Sequence, residues 1–174
     1  AGETGMIPES TIGQAKDLPC ADALTPPESG RAADLLKQTV LIKLNGGLGT
    51  GMGLEKAKSL LPVRGEDTFL DLIARQILRL RGQTGGEVPV FMLMNSFSTS
   101  ADSAAHLAAR FPQLGGPETW ELMQNKVPKV LAGSLEPAHW PANEDQEWCP
   151  PGHGDIYACL AGSGWLEHAV ARRS

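Results

Sequence analysis

The chain of 174 residues lacks several features that mark large classes of protein. It has no apolar stretch of the ~18 residues that a membrane-spanning helix needs, and its first residues do not resemble a signal peptide. It has no excess of basic residues, because 15 Lys and Arg stand against 20 Asp and Glu, which gives a net charge of −5. Without a basic surface, we expect no binding to nucleic acid or to an anionic membrane.

Cysteine is also scarce. The three cysteines, Cys20, Cys149 and Cys159, are odd in number and have no CxxC spacing. This pattern argues against a disulfide framework and against a zinc ribbon. We therefore expect reduced thiols and a cytoplasmic location.

Glycine and proline, in contrast, are abundant at 20 and 13 residues, and they cluster in short runs. Apolar residues make up 41% of the chain and charged residues 20%, which is typical of a globular protein. The length fits one domain, or a piece of a larger one, with a core of its own. We expect prominent loops, which are the segments that carry function in many proteins.

Patterns typical of strands and helices alternate along the chain. Residues 40–44 and 88–94 are short apolar runs that predict buried strands, the first of them central in its sheet. Thr68, with Asp71 three residues on, predicts the start of a helix that ends near Gly82. The order strand, helix, strand, helix indicates an α/β fold with a parallel sheet.

Other patterns are shorter. Thr99 and Asp102 form a second predicted capping box, before a helix over 104–110. We expect residues 1–38 to form an N-terminal segment and linker with a short helix at 31–37, and 39–174 to form the domain. Lesser elements are predicted as strands over 119–123 and 129–131 and as helices over 156–160 and 165–172. We expect the sheet to be incomplete at Ser174.

The most informative segment is 44–53, which reads Leu-Asn-Gly-Gly-Leu-Gly-Thr-Gly-Met-Gly. Glycines let main-chain N–H groups approach a ligand closely, which suits a polyphosphate. The pattern GxGxxG fails because of Met52, and the pattern GxxxxGK[ST] fails because Ala57 precedes Lys58. The segment is therefore neither a dinucleotide fingerprint nor a Walker A loop, and a merely flexible loop is the alternative.

Four motifs together carry a resemblance to a known family. They are segment 44–53 with Lys58-Ser59, Thr-Phe-Leu-Asp-Leu at 68–72, Met-Asn-Ser-Phe at 94–97, and Pro-Pro-Gly-His-Gly-Asp at 150–155. In this order they resemble the N-terminal part of the catalytic domain of UTP–glucose-1-phosphate uridylyltransferases, also called UDP-glucose pyrophosphorylases. The resemblance implies a GT-A-like nucleotidyltransferase fold, a Rossmann-like, mostly parallel sheet flanked by helices.

The resemblance also implies a reaction. UTP and glucose 1-phosphate would give UDP-glucose and pyrophosphate by in-line attack of a sugar-phosphate oxygen on the α-phosphorus, with Mg²⁺ as cofactor. The nucleotide-binding residues that it implies are Leu44, Asn45, Gly46, Gly47, Gly49, Thr50, Gly51, Met94, Gln124 and Gly152. Lys58 would be the catalytic cation on the phosphates, and its alternative is a solvated surface lysine.

Each of the other implied roles has an alternative as well. The family's usual Phe-Asn-Gln reads Leu-Met-Gln here, so Gln124 could also be an exposed glutamine after a strand. Met94 could be core. His153 would contact the sugar 1-phosphate, or else be satisfied by backbone or bind zinc together with Cys149. The remaining histidines are expected on the surface; they are His106, His139 and His168.

The sequence departs from the family in two ways. Gly51 stands where relatives have Ser or Arg, and Lys56-Ala57 where they have Gly-Pro, so the loop either holds phosphate less rigidly or gains a charge from Lys56. The family's metal-binding aspartate, sugar-binding residues, second catalytic lysine and β-helical domain correspond to positions beyond Ser174. Three alternatives therefore stay open: a pyrophosphorylase for another UDP-sugar, a uridine-nucleotide-binding module without turnover, and a structural glycine loop.

Overall fold

The computed structural model of the chain describes residues 6–47, 56–86 and 88–167. The α-helices of this part are α1 (Ser29–Lys37), α2 (Phe69–Thr84), α3 (Ser100–Arg110), α4 (Pro117–Trp120) and α5 (Ile156–Gly162). Its strands are β1 (Val40–Asn45), β2 (Pro62–Arg64), β3 (Asp67–Thr68), β4 (Val90–Asn95), β5 (Glu121–Met123), β6 (Val127–Pro128) and β7 (Trp148–Cys149). None of the helices in these ranges is long and apolar enough to cross a membrane.

The main sheet is parallel and has the strand order β1, β4, β5. Helix α2 connects β1 to β4, and α3 lies between β4 and β5. This arrangement confirms the predicted α/β fold with a parallel sheet and flanking helices. The prediction that β1 is the central strand is wrong within the described residues, because β4 lies between the other two. One strand's apolar run does not encode which strands pair with it.

The sheet separates two apolar clusters because successive side chains of β4 point to opposite faces. Phe91 and Leu93 pack on the face that α2 and α3 cover. Met92 and Met94 pack on the other face, together with Leu122 and with residues of α5. The sheet is therefore covered by helices on both sides, as the apolar runs of its strands predict.

Two helix ends differ from prediction. Helix α2 begins as predicted with a capping box between Thr68 and Asp71, but it continues past Gly82 and ends at Thr84. The residue that ends it is Gly85, whose left-handed conformation (φ 69°) is one that glycine adopts without strain. The capping box predicted at Thr99 is wrong, because its Oγ1 accepts a hydrogen bond from the Ser96 N–H (3.0 Å) and caps nothing in α3.

The strands after α3 differ from the predicted ones in position and length. The strand expected over 129–131 is wrong: Val130 makes only an isolated bridge with Pro137. The neighbouring β6 instead forms a short antiparallel pair with β7. The strand expected over 119–123 is shorter, since Pro117–Trp120 is helical. Most of the helix expected over 165–172 lies outside the described residues, as does His168.

A buried carboxylate joins α2 to α3. The side chain of Asp71 is fully buried (0% exposed), and it accepts hydrogen bonds from the Thr68 N–H (2.7 Å) and Oγ1 (3.0 Å). His106 Nε2 and Arg110 Nε of α3 each lie 2.9 Å from Asp71 Oδ1. The prediction that His106 is a surface residue is therefore wrong, whereas His139 is exposed as predicted.

We predict that Asp71→Ala lowers the free energy of unfolding by about 3 kcal/mol, because it leaves several buried donors without an acceptor. Urea denaturation measures this difference. Asp34→Ala is the matched control, since Asp34 pairs with Lys37 on the surface, and it should change the free energy by less than about 0.5 kcal/mol. Equal effects of the two substitutions would contradict the assignment.

The contribution of Asp71 also predicts a pH dependence. Burial opposes its ionisation, but hydrogen bonds from Thr68 and His106 outweigh burial and hold the pKa of Asp71 below its ordinary value of 3.8. A pKa that is depressed in the folded state stabilises the fold above the unfolded-state pKa, and the stabilisation is lost as pH falls through the folded-state pKa. The difference in unfolding free energy between wild type and Asp71→Ala should therefore be constant above about pH 5 and shrink below about pH 4. A difference that grows on acidification would refute this.

Candidate functional site

The carboxyl ends of the three parallel strands lie side by side at one edge of the sheet. Asn45 at the end of β1 is in register with Asn95 at the end of β4, and Asn95 with Met123 at the end of β5. The segments that begin with Gly46, Ser96 and Gln124 therefore leave the sheet as neighbours. This is the edge at which open α/β sheets bind their ligands.

A row of polar side chains crosses this edge. Ser59 Oγ donates to Asn45 Oδ1 (2.5 Å), and Asn45 Nδ2 donates to Asn95 Oδ1 (2.7 Å) and to Ser103 Oγ (2.9 Å). Asn95 Nδ2 in turn donates to Glu121 Oε1 (2.7 Å). The side chain of Asn45 is thus bonded within the protein on both its oxygen and its nitrogen, and the nucleotide-binding role of Asn45 stays a prediction.

The same row holds the two ends of the glycine-rich segment together. Asn45 is the second residue of segment 44–53 and precedes its first glycine, and Ser59 follows the segment, so their hydrogen bond joins residues 14 positions apart. Lys58, next to Ser59, lies in a short 3₁₀ helix, and its side chain is exposed and makes no hydrogen bond or ion pair with a described residue. Gly47 is exposed at the start of the segment. The predicted cradle residues Gly49, Thr50 and Gly51 lie outside the described residues.

Three of the predicted base-binding residues come together. Gln124 is buried (5% exposed), and its Nε2 donates to the carbonyl of Gly152 (2.6 Å). A Cβ added to Gly46 would lie 2.0 Å from Gln124 Oε1, so only glycine permits this approach. The alternative that Gln124 is an exposed glutamine is therefore wrong.

Further main-chain contacts fix this group of residues. The Gln124 N–H donates to the carbonyl of Asn95 (2.7 Å), and Ser96 Oγ donates to the carbonyl of Gly46 (2.8 Å). Gly152 has φ 116°, a conformation that residues with a side chain rarely adopt. Each residue of the group is therefore held through its main chain. Gly46 and Gln124 are held by hydrogen bonds, and Gly152 has a conformation that favours glycine.

Leu44 and Met94 lie directly beneath this group. They are register partners in β1 and β4, and both pack in the apolar cluster on the α5 face of the sheet. Met94 is almost fully buried at 1% exposed. Their side chains therefore form part of the core just below the edge, a position that is compatible with lining the base site, and the base-binding role of Met94 stays a prediction.

His153 lies in the loop 150–155, next to Gly152, whose carbonyl is bonded to Gln124 at the carboxyl edge of the sheet. His153 begins a 3₁₀ turn that ends at Asp155, and its side chain is exposed. Zinc binding by His153 and Cys149 has no support among residues 6–47, 56–86 and 88–167, where no three His, Cys, Asp or Glu side chains are grouped to hold a metal ion. The Mg²⁺ implied by the sequence resemblance has no ligand set in these ranges either.

Sequence reasoning missed the residues that fasten the site. They are Ser59, Asn95, Ser96, Ser103, Glu121, Asn125 and Asp155. Ser59, Asn95, Ser96 and Asp155 lie in motifs quoted above, although no role was predicted for any of the four. Asp155 accepts hydrogen bonds from Asn125, and these, together with one from Cys159, outweigh burial and lower the pKa of its carboxyl.

A cavity of about 900 Å³ lies elsewhere in the fold. Val90, the first residue of β4, lines it together with residues of the C-terminal half of α2 and the loops at 113–115 and 163–165. It is therefore at the amino end of β4, opposite the edge described above. None of the predicted site residues lines it.

Comparisons with known proteins point to one family. A family model described as UTP–glucose-1-phosphate uridylyltransferase matches residues 4–172. UTP–glucose-1-phosphate uridylyltransferase 2 of Dictyostelium discoideum is 36% identical over 156 residues, which are 89% of this chain and 29% of the relative. The chain thus spans less than a third of that relative's length.

Solved structures give the same result. A variant of UDP-glucose pyrophosphorylase from Leishmania major, in complex with UDP-glucose, is 49% identical with a TM-score of 0.83, and the match covers 98% of this chain and 35% of that one. UDP-glucose phosphorylase from Trypanosoma brucei is 42% identical with a TM-score of 0.82, and the match covers 98% and 36%.

The close approach at Gly46 gives a prediction about the site itself. Gly46→Ala should displace the Gln124 side chain and lower the free energy of unfolding by about 1–3 kcal/mol, as overpacking does. In an NMR spectrum the side-chain amide signals of Gln124 should move. Gly47→Ala is the control, because no described atom lies within 4 Å of the added Cβ; Gln124 signals that respond alike to both variants would contradict the contact.

Proposed function

The chain belongs to the UTP–glucose-1-phosphate uridylyltransferase family, and on that premise we propose that it binds UTP at the carboxyl edge of its parallel sheet. We propose further that residues 39–174 are the nucleotide-binding part of an enzyme that converts UTP and glucose 1-phosphate to UDP-glucose and pyrophosphate. Because the chain covers 29% of the Dictyostelium relative, the activity, substrates and partners of the whole protein are proposals. The cytoplasmic location stays a prediction.

One observation carries the proposal: Gln124 reaches between Gly46 and Gly152 at the strand ends. A primary amide has both donors and acceptors, which suits the edge of uracil, where carbonyl oxygens flank an N–H. Since Gln124 Nε2 is bonded to Gly152, the orientation of the amide is set before a base arrives. A base that leaves such a buried group unpaired would lose about 1–3 kcal/mol, enough to select among bases.

The phosphates would lie beyond the base, toward the glycine-rich segment. We propose that main-chain amides from Gly47 onward, through Gly49, Thr50 and Gly51, surround them, and that Lys58 supplies a positive charge. The hydrogen bond between Ser59 and Asn45 supports this, because it holds Lys58 next to the first residues of the segment. His153 would contact the sugar phosphate from the loop on the other side of Gly152.

In this proposal the chain's own residues bind and orient the reactants. An oxygen of glucose 1-phosphate attacks the α-phosphorus in line, the bond from that phosphorus to the β-phosphate oxygen breaks, and pyrophosphate leaves with that bond's electron pair. Positioning and positive charge stabilise the charge that develops on the phosphates. Mg²⁺ would add positive charge at the phosphates when bound, and residues 6–47, 56–86 and 88–167 contain no group of three His, Cys, Asp or Glu side chains that could hold it.

Two other functions make different predictions. A pyrophosphorylase for another UDP-sugar would share the UTP site and differ in the sugar 1-phosphate that a longer version of the protein turns over. A uridine-nucleotide-binding module would be stabilised by UTP in a thermal-shift assay and release no pyrophosphate. The uridine-nucleotide-binding module is the second candidate function, because the chain spans 29% of the length of the Dictyostelium relative.

The phosphate part of the proposal is tested with Lys58→Ala. We expect its affinity for UTP to fall at least about tenfold, because a hydrogen bond to a charged group contributes about 1.5–3 kcal/mol. Its affinity for UMP should fall less, since Lys58 is proposed to act on the distal phosphates. Isothermal titration calorimetry measures both ligands.

Lys37→Ala is the matched control, because Lys37 is an exposed lysine that pairs with Asp34 in α1. It should bind UTP as the wild type does. If Lys58→Ala also binds UTP like the wild type, Lys58 is a solvated surface lysine. If UTP neither binds the wild type nor raises its melting temperature, the proposed site is wrong.

A further inference from the structure

Asp155 lies where the 3₁₀ turn that begins at His153 runs into α5. Its own backbone is helical (φ −63°, ψ −13°), and its side chain accepts no hydrogen bond from a main-chain N–H in the first turn of α5. Its carboxylate is directed instead to another segment of the chain.

That segment is the residue after Gln124. Asn125 donates to Asp155 twice: its main-chain N–H to Oδ2 (2.8 Å) and its side-chain Nδ2 to Oδ1 (3.0 Å). Two parallel bonds to one carboxylate fix direction as well as distance. Cys159 Sγ, 3.1 Å from Oδ2 and buried beneath the site, holds the carboxylate from below.

The two bonds close a ring that includes the proposed base-binding amide. The carbonyl of Gly152 accepts from Gln124 Nε2 (2.6 Å) and from the Asp155 N–H (3.2 Å). Two links therefore join the end of β5 to the loop 150–155. Gln124 is bonded to Gly152, and Asn125 is bonded to Asp155. If the bonds at Asp155 are lost, the bond from Gln124 to Gly152 is what remains of this ring, and the next link between the two segments is the pairing of β6 with β7.

We propose that Asp155 is a positioning residue for base recognition: by holding Asn125 at two points, it fixes the Gln124 amide in the orientation that distinguishes uracil from cytosine. The inference rests on the proposed function, because it concerns the same nucleotide site. A carboxylate suits the role, since both of its oxygens accept hydrogen bonds. An asparagine at 155 has the same shape but has an NH₂ group in place of one oxygen, so it cannot accept the two bonds from Asn125 on two separate oxygens as the carboxylate does.

The first experiment is an NMR comparison of the free protein, with no nucleotide present. In Asp155→Asn the side-chain amide signals of Gln124 should shift or broaden relative to wild type. Asp145→Asn is the matched control: it removes the same charge from an exposed position in the 3₁₀ helix Glu144–Glu147, and should leave those signals in place. Gln124 signals that are unchanged in Asp155→Asn would overturn the inference.

The second experiment measures affinity for UTP and CTP by calorimetry on the same variants. We expect Asp155→Asn to bind UTP about tenfold more weakly than wild type, with a smaller loss for CTP, so that the preference for UTP falls. Equal losses for the two nucleotides would overturn the inference, because a general loss of structure affects both alike. Asp145→Asn should keep the wild-type affinities.

A second variant covers the case in which Asp155→Asn does not fold. Asn125→Ala removes one of the two hydrogen bonds and leaves the main-chain bond to Asp155, so it should reduce the preference for UTP to a smaller degree. An unchanged preference in Asn125→Ala would count against the inference. If the wild type binds neither nucleotide, the proposed function is overturned, and the NMR comparison of the free proteins alone then decides whether Asp155 holds Gln124.

Discussion

The whole site depends on the parallel pairing of β1 with β4, which places Asn45 opposite Asn95. With that register, the side chain of Asn45 bonds to that of Asn95 across the two strand ends. Asn45 also accepts from Ser59, and Asn95 donates to Glu121 on β5, so the hydrogen bonds form one continuous row. Buried polar groups of this kind are favourable only when each has a partner, so the row is sensitive to any shift of one strand against the next. The polar row therefore fixes the relative positions of the three segments that leave the sheet.

Gln124 then joins this edge to the loop 150–155. Its main chain is bonded to Asn95, its side chain to Gly152, and its Oε1 lies against Gly46 where a side chain cannot fit. Beneath it, Leu44 and Met94 are core residues. An amide of defined orientation over an apolar floor suits a planar, polar base, and this arrangement is the basis of the proposal that a uridine nucleotide binds here.

Much of this was predictable from sequence. The α/β class follows from alternating apolar runs and from the capping box at Thr68, and the family resemblance indicated Gly46, Gln124 and Gly152. Sequence could not give the strand order that makes β4 central, the end of α2 at Gly85 rather than Gly82, or the bond between His106 and Asp71. The strand order and the bond to His106 depend on contacts between distant residues, whereas the end of α2 depends on which of two nearby glycines adopts the left-handed conformation. No role was predicted for Ser59, Asn95 or Asp155, because the partner of a polar side chain is evident only in three dimensions.

A crystal structure of the chain grown with UTP is the most direct test of whether Gln124 recognises the base. We expect the edge of the uracil ring within hydrogen-bonding distance of the Gln124 side chain, between Gly46 and Gly152, with the triphosphate directed toward Gly47 and Lys58. A nucleotide seated elsewhere, for example in the cavity beside Val90 at the amino end of β4, would contradict this expectation.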